Sequence, residues 1–122
     1  MRIYSTAFAE GGEIPVKNTQ EAEDLSPELV FEDIPAGTKG LPEGVKQLPA
    51  KARTGINDCD AEGWSGPRPP IGVHRYYFHL FALDTELTLS AGFKRADVEK
   101  AMKGHILAKA QTFGTYLLLA NR

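Results

Sequence analysis

Residues able to do polar chemistry concentrate in one run of this chain, from Gly66 to Asp84, which holds Arg68, His74, Arg75, Tyr76, Tyr77 and His79. Guanidinium, imidazole and phenol are all hydrogen-bond donors, and an imidazole, with a model-peptide pKa of about 6.5, can donate to an oxyanion. The loop that opens the run adds backbone donors. Pro67, Pro69 and Pro70 have no N–H, so Arg68, Ile71 and Gly72 are the loop residues that can supply one. This residue set suits the capture of a small oxygen-rich anion. Arg68, Pro69, Pro70, His74 and Tyr76 are therefore the candidate ligand-binding residues.

The elements that place these groups follow from the same run. Each proline fixes its own φ and disfavours the helical region for the residue before it, so residues 66–70 form a stiff loop. From His74 to Leu83 the side chains are aromatic, aliphatic, imidazole and guanidinium, types that favour a pleated, half-buried strand. Alternation puts His74, Tyr76, Phe78 and Leu80 on one face and Arg75, Tyr77, His79 and Phe81 on the other. A rigid loop thus delivers an imidazole and a phenol to one side of a sheet near its rim. Arg75, facing away from His74, is expected to pair with a structural carboxylate.

Other chemistries fit the pattern less well. His74 and His79 lie on opposite faces and cannot share a metal ion. His105 falls in a segment read as helix, where a hydrogen-bonded, partly buried role is expected. Cys59 sits among Asn57, Asp58, Asp60 and Glu62, and negative neighbours disfavour the thiolate that a nucleophile needs. The expectation is a non-enzymatic binding protein with no metal and no cofactor.

Around the candidate loop, the chain reads as short strands and long connections. Residues 2–8 predict an opening strand, residues 17–24 a polar surface loop, and Ser26-Pro27 the cap of a short helical turn. Residues 30–34 predict a second strand, closed by Pro35-Ala36-Gly37. Between Gly37 and Gly72 glycine and proline recur with hardly any alternating segment, a connection unusually long for a compact domain. Val98, Ala101, Met102, His105, Ile106 and Ala108 recur at helical spacing and predict a helix over residues 95–111, despite Gly104. Residues 112–119 predict a closing strand.

Composition sets the outer limits. The chain has 122 residues, one domain's worth, and a single cysteine, so no internal disulfide can form. Neither a signal-peptide-like apolar stretch nor a membrane span is present in the sequence, which predicts a cytoplasmic protein with no stable membrane insertion. The net charge of −2 argues against nucleic acid as a partner. It divides into −6 over residues 1–33 and +4 over the remainder, a distribution compatible with a small anion.

Four blocks in order carry a family resemblance: Leu25-Ser26-Pro27-Glu28-Leu29 with Phe31; Ile34-Pro35-Ala36-Gly37-Thr38-Lys39; Gly66-Pro67-Arg68-Pro69-Pro70 through His74-Arg75-Tyr76 to Ala82-Leu83-Asp84; and Ala101-Met102 through Gly104-His105-Ile106-Leu107-Ala108 to Gly114-Thr115-Tyr116. With these the chain resembles the phosphatidylethanolamine-binding protein family, in its bacterial and archaeal Raf-kinase-inhibitor-like branch. The resemblance implies a mainly-β fold, an antiparallel β-sandwich with one C-terminal α-helix, and a pocket for phosphate-type anions or phospholipid head groups. It also implies an alternative, a protein-interaction module inhibiting a kinase or a protease.

The chain departs from the family pattern after Lys39, which runs through Gly40 directly into Leu41. Members normally carry central strands there, with an Asp-Pro-Asp-x-Pro motif and a His-Trp pair that supply an acid and a second histidine to the pocket. A sandwich reduced by a central deletion is therefore expected. Lost ladder partners expose sheet edges, and three outcomes follow: the sheet remains reduced, it is completed by a partner subunit, or the molecule carries a segment that this sequence lacks.

Overall fold

The computed structural model describes residues 1–39 and 65–122. Strands β1 (Arg2–Ser5), β2 (Leu29–Glu32), β3 (His74–Leu83) and β4 (Ile106–Tyr116) are joined by one helix, α1 (Arg95–Met102), inserted between β3 and β4. Short 3-10 turns occur at Val16–Asn18 and Leu119–Asn121. The strands form two antiparallel pairs, β1 with β2 and β3 with β4, and no closed barrel exists among the described residues.

Alternation determines how the long β3–β4 ribbon is used. His74 stands opposite Tyr116, Tyr76 opposite Gly114, Phe78 opposite Thr112 and Leu80 opposite Ala110. On this inner face Leu80, Ala82, Thr112 and Tyr116 are buried, so it is the face turned to the core. Ile3 of β1, Phe8 and Ile14 from the connection after it, Leu83 and Met102 are also buried. The Phe8 and Phe78 rings lie 5.8 Å apart, joining that connection to the ribbon. On the outer face the rings of Tyr77, His79 and Phe81 stack in sequence at 6.0 and 6.4 Å, and Tyr77 also stacks on Phe113 at 5.2 Å.

Several boundaries differ from those the sequence predicts, each for a physical reason. The helix ends at Met102 and does not reach Gln111. Gly104 takes φ +83°, a left-handed conformation that stops a helix, and β4 begins two residues later. Ile106, Ala108 and Ala110 match a period of two as well as helical spacing, so the strand claims them. His105 consequently sits between α1 and β4, where it is exposed and its Nδ1 lies 2.8 Å from Asp84 Oδ1.

The closing strand starts at Ile106 and stops at Tyr116, short of Leu119. β1 stops at Ser5, whose Oγ donates to the Glu28 carbonyl at 2.6 Å and accepts from the Ala7 N–H at 3.0 Å. β2 runs over Leu29–Glu32 and ends at Asp33, with φ +55°. No helical turn forms at Ser26-Pro27. The acidic stretch of residues 17–24 is more than surface: Asn18 and Thr19 are buried, next to the 3-10 turn. Cys59 and the Lys39–Leu41 junction lie at or beyond the limit of the described residues.

Candidate functional site

Two elements carry the candidate residues, the start of β3 and the loop before it. His74 is the first residue of β3 and is exposed, while Tyr76, on the same inner face, is half-buried. Successive same-face residues of a strand are about 7 Å apart, a span that a phosphate-sized group can bridge. Burial raises the Tyr76 phenol above its ordinary value. It therefore keeps its proton at neutral pH and remains a donor. Gly114 faces Tyr76 across the ladder, and no side chain from β4 stands opposite the ring.

The loop is held by residues far away in sequence. The Gly66 N–H donates to Asp24 Oδ1 at 2.8 Å, Gln20 Nε2 donates to the Gly66 carbonyl at 3.0 Å, and the Gln20 N–H donates to the Pro67 carbonyl at 3.2 Å. Gly66 and Pro67 are buried, and so is Pro69, completely. Arg68 and Pro70 are exposed between and beyond these anchors. Of the five candidate residues, then, Arg68, Pro70 and His74 meet solvent, Tyr76 meets it in part, and Pro69 lies beneath as an anchor. Arg75 is exposed on the opposite face from His74, as alternation requires.

The sequence reading missed Gln20, Glu21 and Asp24. Asp24 holds Gly66 from a left-handed conformation, φ +54°, which a non-glycine residue adopts at a cost. Glu21 accepts a short hydrogen bond from the hydroxyl of Tyr116, the buried residue opposite His74, and another from the Leu119 N–H at 3.1 Å. Burial and the Glu21 carboxylate both raise the Tyr116 phenol. Their partners are 42 and 95 positions away, so no local pattern could have flagged either acid.

An open recess of about 500 Å³ lies elsewhere, between β1 and β4, lined in part by Arg2, Ser5, Phe8, Glu10, Gln111 and Thr112. None of the five candidates lines it. Among the described residues no group of three or more His, Cys, Asp and Glu side chains is placed to hold a metal ion. No helix among them is long and apolar enough to cross a membrane.

The described residues make a small, mainly-β fold whose long ribbon opens with His74, Arg75 and Tyr76. The chain belongs to the phosphatidylethanolamine-binding protein family, whose model matches residues 30–117. A UPF0098 protein of Methanothermobacter thermautotrophicus is 34% identical over 148 residues, covering 95% of this chain and 98% of its own. One from Aquifex aeolicus is 37% identical over 150 residues, covering 95% and 88%. Both alignments are longer than the 122 residues of this chain, so these relatives carry residues with no counterpart in it. The crystal structure of a phosphatidylethanolamine-binding protein homologue from Chlamydia trachomatis superposes with a TM-score of 0.86 at 29% identity, over 96% of this chain and 97% of that one. YbcL of E. coli shares the fold, with a TM-score of 0.79 at 18% identity over 96% and 98% of the two chains.

Proposed function

We propose that this protein binds a small phosphate-type anion, free or as a phospholipid head group, at the mouth formed by His74, Tyr76 and the loop of residues 66–70. Membership of a family described as phosphatidylethanolamine-binding supports a ligand-binding role. The observation that carries the anion reading is the shared inner face of His74 and Tyr76, one exposed and the other half-buried with its phenol kept protonated. Arg68, exposed on a loop whose backbone is pinned by Asp24 and Gln20, adds a charged donor on a backbone that is already ordered. All three groups are bind-and-hold donors, and the reading is of a binding protein, acting in the cytoplasm, with no turnover.

Affinity is modest on this reading. An exposed guanidinium and imidazole act in high dielectric, and the carboxylates of Glu21 and Asp24 stand on the loop behind them. A dissociation constant of about 1 mM for inorganic phosphate is expected. Phosphate at about twentyfold that concentration then stabilises the fold by ~1.8 kcal/mol. Thermal denaturation with inorganic phosphate, and in parallel with phosphatidylethanolamine vesicles, separates a free anion from a lipid source. His74→Ala should abolish the shift that phosphate produces. An equal shift in that variant, or none in the wild type, rejects the site.

A further inference from the structure

The backbone of β3 has a direction that matters for assembly. The Leu83 carbonyl accepts from the Lys39 N–H at 2.8 Å and so points away from β4, whereas the Asp84 N–H turns back to the His105 carbonyl at 3.0 Å. In an antiparallel ladder a residue's N–H and C=O point to the same side, and successive residues alternate. The one irregularity, where Ala82 pairs with Ala108 and Leu83 with Ile106, places the extra residue, Leu107, on β4. Alternation along β3 is therefore unbroken, and the N–H and C=O groups of Arg75, Tyr77, His79 and Phe81 all point to the edge away from β4. Among the described residues, β3 pairs with β4 alone.

Among the described residues, that edge has little of the usual protection beyond Leu83, where Lys39 bonds. From Tyr76 to Leu83 there is no proline, lysine or acidic residue, and the bulge lies on the partner strand. Arg75 is the one permanently charged residue of β3, and the long uncharged stretch beyond it is a template for another strand. We infer that two copies of this chain join edge to edge through β3, antiparallel about a two-fold axis at Phe78, making a four-stranded sheet in the order β4-β3-β3-β4.

The sequence of β3 is what selects a second copy and this register. With Phe78 on the axis, Arg75 stands opposite Phe81 of the second copy and Tyr77 opposite its His79. All four edge-facing residues of each strand then pair with edge-facing residues of the other, and none of these backbone groups is left over. The outer faces also match. Tyr77 meets an imidazole across the junction just as it stacks on His79 within its own chain at 6.0 Å. Arg75 lies across from an aromatic ring, a pairing favoured by the ring quadrupole. A two-stranded ribbon is marginal by itself, and doubling it gives the strand number at which sheets become independently stable.

Sedimentation equilibrium over a range of protein concentrations tests the inference. The wild type should show twice the chain mass. Phe81→Lys puts a cation opposite Arg75 of the second copy, twice per dimer, and should weaken association roughly tenfold. Phe81→Glu puts an anion there and should leave association equal or tighter. His79→Pro removes an N–H that points to the edge away from β4 and none that bonds β4, so it should yield a folded monomer. A wild-type monomer, an aggregate without defined mass, or a dimer that responds alike to lysine and glutamate at position 81 overturns the proposal. The opposite responses of the two charge variants keep it falsifiable even where the proline variant fails to fold.

Discussion

A methyl group added at Gly66 would collide with the Asn18 carbonyl oxygen and stand 2.5 Å from Asp24 Oδ1 and 3.0 Å from the Thr19 Cα. Two of these obstacles are backbone, and the third is the carboxylate that anchors the loop, so no side-chain rotation relieves the clash. In Gly66→Ala the loop must lift away. It then loses its bonds to Asp24 and Gln20, which measure 2.8, 3.0 and 3.2 Å. At a net ~1 kcal/mol for each hydrogen bond, the cost is about 3 kcal/mol, the upper end of what overpacking usually exacts. For a chain of 122 residues that lowers the melting temperature by about 10 °C.

Gly72→Ala is the control, because Gly72 has φ +70° with nothing within 4 Å of an added Cβ. It should cost only the ~1 kcal/mol of a left-handed non-glycine residue. Melting followed by circular dichroism compares the two variants. If Gly66→Ala melts within about 2 °C of the wild type, or above Gly72→Ala, the pinned-loop reasoning is wrong.

Two further outcomes concern Tyr116. Tyr116→Phe deletes the hydroxyl that Glu21 accepts from but leaves the Leu119 N–H on that carboxylate. A loss of about 1–2 kcal/mol in urea denaturation is expected, and an unchanged midpoint would contradict the bond's role. The pH dependence follows from the raised phenols of Tyr76 and Tyr116. Above pH ~10 the unfolded chain gives up these protons while the folded chain retains them. Their contribution is therefore complete below pH ~10 and disappears as pH climbs through the folded-state values. A series of melts from pH 8 to 11 should show this decline, with a shallower slope in Tyr116→Phe.

How much of the protein was legible in its sequence depended on how local the evidence was. β3 could be read to the residue, since ten consecutive side chains of strand type follow a proline loop, and its two faces fell as alternation requires. The α1–β4 region could not. Alanines and isoleucine at residues 101–110 satisfy both periods, and only the left-handed conformation of Gly104 decides between them. In the candidate site, the shared face of His74 and Tyr76 was visible because a single strand sets their relation. The clamp was not, because Gln20, Glu21 and Asp24 act on residues that are brought near only by the fold. Pro69 shows the converse: its position in a recognisable motif was plain, but whether it faces solvent or the interior is a property of packing.

Strand β4 carries a further consequence, for the order in which this molecule can assemble. Gly11, Gly12 and Ile14 bond to Phe113 and Thr115, and the Thr115 hydroxyl reaches the Gly12 carbonyl across 103 positions. β4 is also the only strand that pairs with β3 among the described residues. During synthesis on the ribosome, the apolar residues near the start emerge long before the strand that will receive them. Contacts this distant along the chain give a high contact order and slow folding, and the nascent polypeptide spends that interval in need of protection from its neighbours.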